Sequence, residues 1–169
     1  LGDVYKRQTD IDKCDCFVII GSNTAEAHPV VFERIARRKA KNPHVKIIII
    51  DPRKTPTNKI ADLHLKCIPG YDLPILHAMA RLIIKEGYAD EEFIKNHVAF
   101  SDGKNPMTYE QFKQFLEEFT PEYAAKISGV TPTEIVEAAR IFGQAKTAMS
   151  MWTMGINQRT RGVWANNLI

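Results

Sequence analysis

The sequence has little of what the common functional signatures are made of. Its three cysteines, Cys14, Cys16 and Cys67, form no CxxC pair and no zinc-finger spacing. An odd number in an ordinary composition argues against a disulfide framework, and Cys16 and Cys67 read as small apolar strand residues. No apolar run approaches the ~20 residues that span a bilayer, so no membrane span is expected in this chain. The net charge is +3 over 169 residues, which gives nucleic-acid binding no support. There is no GxGxxG fingerprint and no Gly-Lys-Ser/Thr of a Walker A loop. What remains, 44% hydrophobic and 25% charged residues, is ordinary for a globular domain.

The organising stretch is Phe17-Val18-Ile19-Ile20 followed by Gly21-Ser22-Asn23. Four apolar residues closed by glycine read as a strand buried on both faces, as in parallel sheets. A segment of helical apolar spacing follows. Strand, tight turn and helix N-terminus together make an anion site, because the first turn of a helix leaves N–H groups unpaired. Gly21 lets the backbone approach a ligand, and Ser22 and Asn23 supply donors or a helix cap. The other reading is a turn made of the residues that turns need.

The amphipathic helix from Pro29, with Val31, Ile35 and Ala36 on one side and Arg34, Arg37, Arg38 and Lys39 on the other, leads into Lys46-Ile47-Ile48-Ile49-Ile50. This is a βαβ unit, expected to be right-handed. Asp51 closes its second strand, where an acidic residue in dinucleotide folds reaches a ribose or base. Arg53 and Lys54 could meet phosphate, or Asp51-Pro52 is a turn with two solvated cations. Leu63 to Cys67 reads as a third strand. Asp72 reads as the cap of a helix running to Lys85, or as an acceptor for two neighbouring ligand N–H groups.

Asp90–His97, Thr108–Phe119, Thr120–Ile127 and Ile135–Phe142 read as helices, the last stopped at Gly143. Phe112, Phe115 and Phe119 form an aromatic stripe expected to be core. Val98 to Pro106 reads as a polar loop. Thr147 to Trp152 returns to strand character, and Thr153 to Gly162 gives a second polar turn holding Gly155, Asn157, Gln158, Arg159 and Arg161. The expected organisation is a non-native leader over 1–8, an α/β region over 9–87, a helical segment over 88–145, and the truncated start of a second α/β region over 146–169. The polar opening and an end inside a starting helix mark the chain as a fragment of a longer protein. The fold expected is α/β: a Rossmann-like parallel sheet with flanking helices plus a helical insertion.

Taken in order, Gly21-Ser22-Asn23…Ala25-Glu26…His28-Pro29, Asp51-Pro52-Arg53…Thr55, Ala61-Asp62 and Pro69-Gly70…Asp72 resemble the molybdopterin oxidoreductases. The block Trp152 to Asn167 is similar to nitrate reductase catalytic subunits of the periplasmic type. The resemblance covers about Asp10 to Ile169 and implies a bis-molybdopterin guanine dinucleotide cofactor carrying molybdenum. It implies that Gly21, Ser22, Asn23 and Glu26 belong to the turn holding cofactor phosphate, that Asp51 and Arg53 lie along guanosine, and that Asp72 pairs with guanine. Met154, Gly155, Asn157 and Gln158 are implied near the pterin, with Met154 and Arg161 closest to the chemistry. Arg161, with Arg159 as its rival, is the expected cation beside nitrate, since a guanidinium fork suits a planar oxyanion.

The family's iron–sulfur cysteines and its molybdenum-ligating cysteine lie upstream, and nothing here resembles them; Cys14-Asp15-Cys16 has the wrong spacing for a four-cysteine cluster. No metal ligand is expected in this chain, and the fragment alone is expected to be inactive. The resemblance implies nitrate as substrate, a cytochrome- or ferredoxin-type electron donor and a periplasmic location, with a cytoplasmic enzyme as the alternative. Formate oxidation on the same scaffold is the rival function. A stand-alone α/β module binding guanine nucleotides is the rival from another class.

Overall fold

The computed structural model describes residues 8–158, 160 and 162–169. The first elements are β1 (Cys16–Ile20), α1 (Thr24–Ala27), α2 (Pro29–Lys41), β2 (Lys46–Ile50), β3 (Leu63–Leu65) and α3 (Asp72–Lys85). Then come α4 (Glu91–His97), β4 (Phe100–Ser101), β5 (Pro106–Met107), α5 (Tyr109–Leu116), α6 (Pro121–Ser128) and α7 (Pro132–Gln144). β6 (Ala148–Trp152), α8 (Met154–Asn157) and α9 (Gly162–Leu168) end the chain.

Four strands make one parallel sheet in the order β3-β2-β1-β6. The apolar runs explain why. β1 and β2 are buried along almost their whole length, and alternate residues supply two cores. Cys16, Val18, Ile20, Ile48 and Ile50 face α3, α6 and α7. Phe17, Ile19, Ile47 and Ile49 face Ile35 and Val31 of α2. This is the expected α/β arrangement, helices on both faces of a parallel sheet.

Ala148–Trp152 forms the expected strand, and it pairs with the free edge of β1, Ile20 opposite Trp152. A single helical turn, α1, follows the Gly21 turn, and the amphipathic helix begins at Pro29 as expected. A residue before proline is pushed out of the helical region, and His28 sits at φ −138°, ψ 63°. Gly143 does not end α7, which continues to Gln144; its missing side chain makes room for Tyr88, whose Cδ2 would lie 2.7 Å from an added Cβ.

The lead-in before β1 is not merely polar. A 3₁₀ helix over Gln8–Lys13 buries Ile11 beneath α2, so Gln8 belongs to the structure while the rest of the expected leader lies outside the described residues. Val98 to Pro106 contains the short antiparallel pair β4 and β5, closed by the Asp102 carboxylate accepting from the Lys104 and Asn105 N–H groups. The aromatic stripe is only half-buried: Phe115 is 42% exposed while Leu116 beside it is 1% exposed. Among the described residues no helix is long and apolar enough to cross a membrane.

Candidate functional site

The chain steps from β1 outward to β2 and β3, then returns to place β6 on the opposite side of β1. A reversal of strand order opens a crevice beyond the carboxyl ends of the strands, where open α/β sheets bind ligands. A cavity of about 370 Å³ lies there, within the range of about 300–1,000 Å³ of small-ligand clefts.

Four strand ends line it. Gly21 and Asn23 come from the turn after β1, Asp51, Pro52 and Arg53 from the turn after β2, and Cys67, Pro69, Gly70 and Asp72 from the connection between β3 and α3. Thr153, Met154 and Gly155 come from the turn after β6. Gly21 joins three of these ends. Its N–H donates to Ile50 C=O at 2.9 Å, and its carbonyl accepts from the Gly155 N–H at 3.2 Å and the Thr153 hydroxyl at 3.0 Å. Gly21 has φ +54°, a left-handed conformation that favours glycine. A Cβ on Gly155 would lie 2.7 Å from Gly21 Cα, so the two turns meet backbone to backbone.

The charges are arranged by depth. Asp51 is 3% exposed; its Oδ1 accepts from the Arg53 N–H at 2.8 Å, and its carbonyl lies 2.9 Å from His64 Nε2. The Arg53 side chain is 76% exposed at the rim, its Nε 4.0 Å from Asp51 Oδ1. Asp72 is buried, with Oδ1 accepting from the Leu73 N–H at 2.8 Å. The cap position expected for Asp72 is held by Tyr71; Asp72 is the first residue of α3 and lines the cavity. At the opposite end of the sheet, where β1 begins, burial pushes the Cys16 thiol up to about 12, so it stays protonated at neutral pH.

Seven of the expected residues therefore share one cavity: Gly21, Asn23, Asp51, Arg53, Asp72, Met154 and Gly155. Ser22, Glu26, Asn157 and Gln158 are not on its wall. Ser22 is buried, its hydroxyl 3.0 Å from that of Thr24. Glu26 is exposed and accepts from the Asn23 amide, while Asn23 Oδ1 accepts from Thr57 at 3.1 Å. The expected side-chain cap by Asn23 is absent for that reason: both ends of its amide are engaged elsewhere. Asn157 and Gln158 are exposed at the end of α8. Arg161 and Arg159 lie outside the described residues.

Sequence reasoning missed Thr153, Cys67 and Gly70 as lining residues. Cys67 carried only a strand signal, and Thr153 only its place at the start of the second polar turn. Among the described residues no three His, Cys, Asp or Glu side chains converge as a metal site.

The sheet order and the cavity at its switch point define a doubly wound α/β ligand-binding region. The molybdopterin oxidoreductase family model matches residues 4–169, and the chain belongs to that family. It is 52% identical over 161 residues to the periplasmic nitrate reductase of Desulfovibrio desulfuricans, covering 95% of this chain and 21% of the relative. It is 48% identical over 155 residues to the F420-dependent formate dehydrogenase 1 subunit alpha of Methanococcus maripaludis, covering 92% of this chain and 22% of the relative. Among solved structures, acetylene hydratase from Pelobacter acetylenicus matches with a TM-score of 0.78 and 26% identity, over 92% of this chain and 20% of that one. The chain thus spans about a fifth of the length of these relatives.

Proposed function

We propose that this chain is one part of a molybdenum enzyme reducing nitrate to nitrite, and that its cavity cradles the guanosine end of a molybdopterin guanine dinucleotide. The observation that carries the cradle is one cavity joining buried Asp51 and Asp72, rim Arg53 and the Gly21–Gly155 contact at the switch point. The glycine-lined wall fits a group that must approach backbone closely, and about 370 Å³ suits one nucleotide rather than a whole bis-dinucleotide. Periplasmic nitrate reductase as a 52% identical relative supports nitrate; the formate dehydrogenase relative at 48% makes formate oxidation the second reading.

In the cradle, the Asp72 carboxylate accepts two parallel N–H bonds from the guanine edge. Asp51 would take the ribose hydroxyls, and Arg53 at the rim would neutralise phosphate. Asn23 and Glu26 hold the shape of the first turn, and Ser22 braces it from inside. Met154, Gly155, Asn157 and Gln158 lie toward the pterin, and Arg161, with Arg159 as rival, supplies the cation for nitrate. The bound cofactor supplies the two-electron redox chemistry at molybdenum. Overall, nitrate loses one N–O bond and the oxygen leaves as water with two protons and two electrons. Those electrons arrive through an iron–sulfur cluster held elsewhere in the complete protein, from a cytochrome- or ferredoxin-type donor. The reading places the enzyme in the periplasm, with the cytoplasm as alternative.

The test is the complete protein, made in a host that synthesises the molybdenum cofactor. Reduced-dye oxidation with nitrate is expected, and Asp72→Asn is expected to lower the molybdenum content at least about ten-fold, the scale of a charge-assisted pair. Formate-dependent dye reduction without nitrate turnover would overturn the substrate. Unchanged molybdenum and released guanine nucleotide in Asp72→Asn would overturn the cradle.

A further inference from the structure

We infer that Thr153 is a positioning residue: its hydroxyl latches the turn after β6 onto the turn after β1 and so fixes the width of the cavity. Three observations converge on it. Thr153 occupies the N-cap position of α8, where a threonine ordinarily turns its hydroxyl onto the helix N–H groups. Here it makes no such cap bond and donates instead to Gly21 C=O at 3.0 Å. The same carbonyl accepts the Gly155 N–H at 3.2 Å, so both of its acceptor sites serve one turn. The glycines leave no slack: an added Cβ on Gly155 would lie 2.7 Å from Gly21 O.

The consequence is mechanical. Gly21 is also tied to β2 through Ile50, so the latch connects the Met154 wall to the wall carrying Asp51. Without it, the β6 turn keeps its strand pairing through Trp152 but loses its fixed distance from the opposite wall. A ligand spanning both walls then binds a cavity of variable width, and the ordering is charged against its affinity. This inference rests on the proposal that the cavity holds a guanine nucleotide, but the latch itself does not need a ligand to be seen.

The experiment uses the complete protein made without the molybdenum cofactor, with amide hydrogen exchange followed residue by residue and GDP as the probe ligand. In Thr153→Val, the Gly155 amide is expected to exchange about five- to ten-fold faster, the scale of one lost hydrogen bond. The Ile19 and Ile49 amides of the central strands are expected to be unchanged, which certifies folding. Thr153→Ser keeps the hydroxyl and is expected to restore both Gly155 protection and the wild-type GDP affinity, which Thr153→Val lowers by a similar factor. Unchanged Gly155 exchange in Thr153→Val overturns the latch. Should the valine variant fail to fold, loss of Gly155 protection in Thr153→Ser with the strand amides intact overturns it as well. Accelerated Gly155 exchange with no GDP binding even in the wild type supports the latch and sinks the nucleotide reading.

Discussion

The sheet and the outer helices are built by different means. β1 and β2 are almost wholly buried strands paired across long sequence separations and covered on both faces. α4 buries no residue at all, and α5 buries only Leu116. The starts of the outer helices are held locally: Asp90 accepts from Phe93 N–H at 2.8 Å, and Thr108 and Gln111 form a capping box. α6 and α7, although in the same stretch of sequence, belong to the sheet side, burying Ala124, Ile135, Ala138 and Ala139 in its core. The difference teaches that stability here concentrates where the cavity is, while the outer helices are stapled end by end.

That contrast is sharpened or broken by four measurements. Ile48→Ala removes a side chain that is 0% exposed at the centre of the sheet; a loss of about 3–4 kcal/mol is expected in urea unfolding. A loss under about 1 kcal/mol would break the contrast. His77 comes next. It packs between Phe115 and Phe119, ring centroids 5.3 and 4.4 Å away, and burial pushes its imidazole down to about 4.

A folded pKa below the unfolded value near 6.5 means that the unfolded chain binds more protons between these pH values. Its contribution is therefore full above about 6.5 and is lost as pH falls toward 4. Wild type is expected to lose stability over that window faster than His77→Leu, by on the order of 1–3 kcal/mol. Parallel profiles for the two proteins would show that the α3–α5 contact does not exclude water. Thr131→Ala removes a capping box in which Oγ1 accepts from Glu134 N–H at 3.3 Å and Glu134 accepts from Thr131 N–H at 2.9 Å. About 1 kcal/mol is expected in thermal unfolding. Phe93→Ala, on a side chain 55% exposed, is expected to cost under about 0.5 kcal/mol. A larger cost would mean that α4 is docked more firmly than its exposure indicates.

The same two means decide what can be read from sequence. Caps are written within four residues, so Asp90, Thr108, Thr120 and Thr131 announce their helices directly. Buried strands announce themselves by composition, and Ile47 to Ile50 could scarcely be anything else. Sheet order is not local. Nothing within Ala148–Trp152 says that it pairs with a strand some 130 residues earlier. The cavity wall was legible where a resemblance or a charged residue marked it, as at Asp51 and Asp72. Thr153 was invisible because its meaning lies in a carbonyl across the switch point.

The sheet's outer strand carries a last consequence. Among the described residues β6 pairs only with β1, so its five residues end the sheet on that side, while the opposite edge, β3, is three residues long. A strand of that length with one open edge is a template for another chain. In solution the isolated polypeptide should be limited by self-association before it is limited by unfolding. Its solubility will track concentration and added charge along that edge more closely than any change in the core.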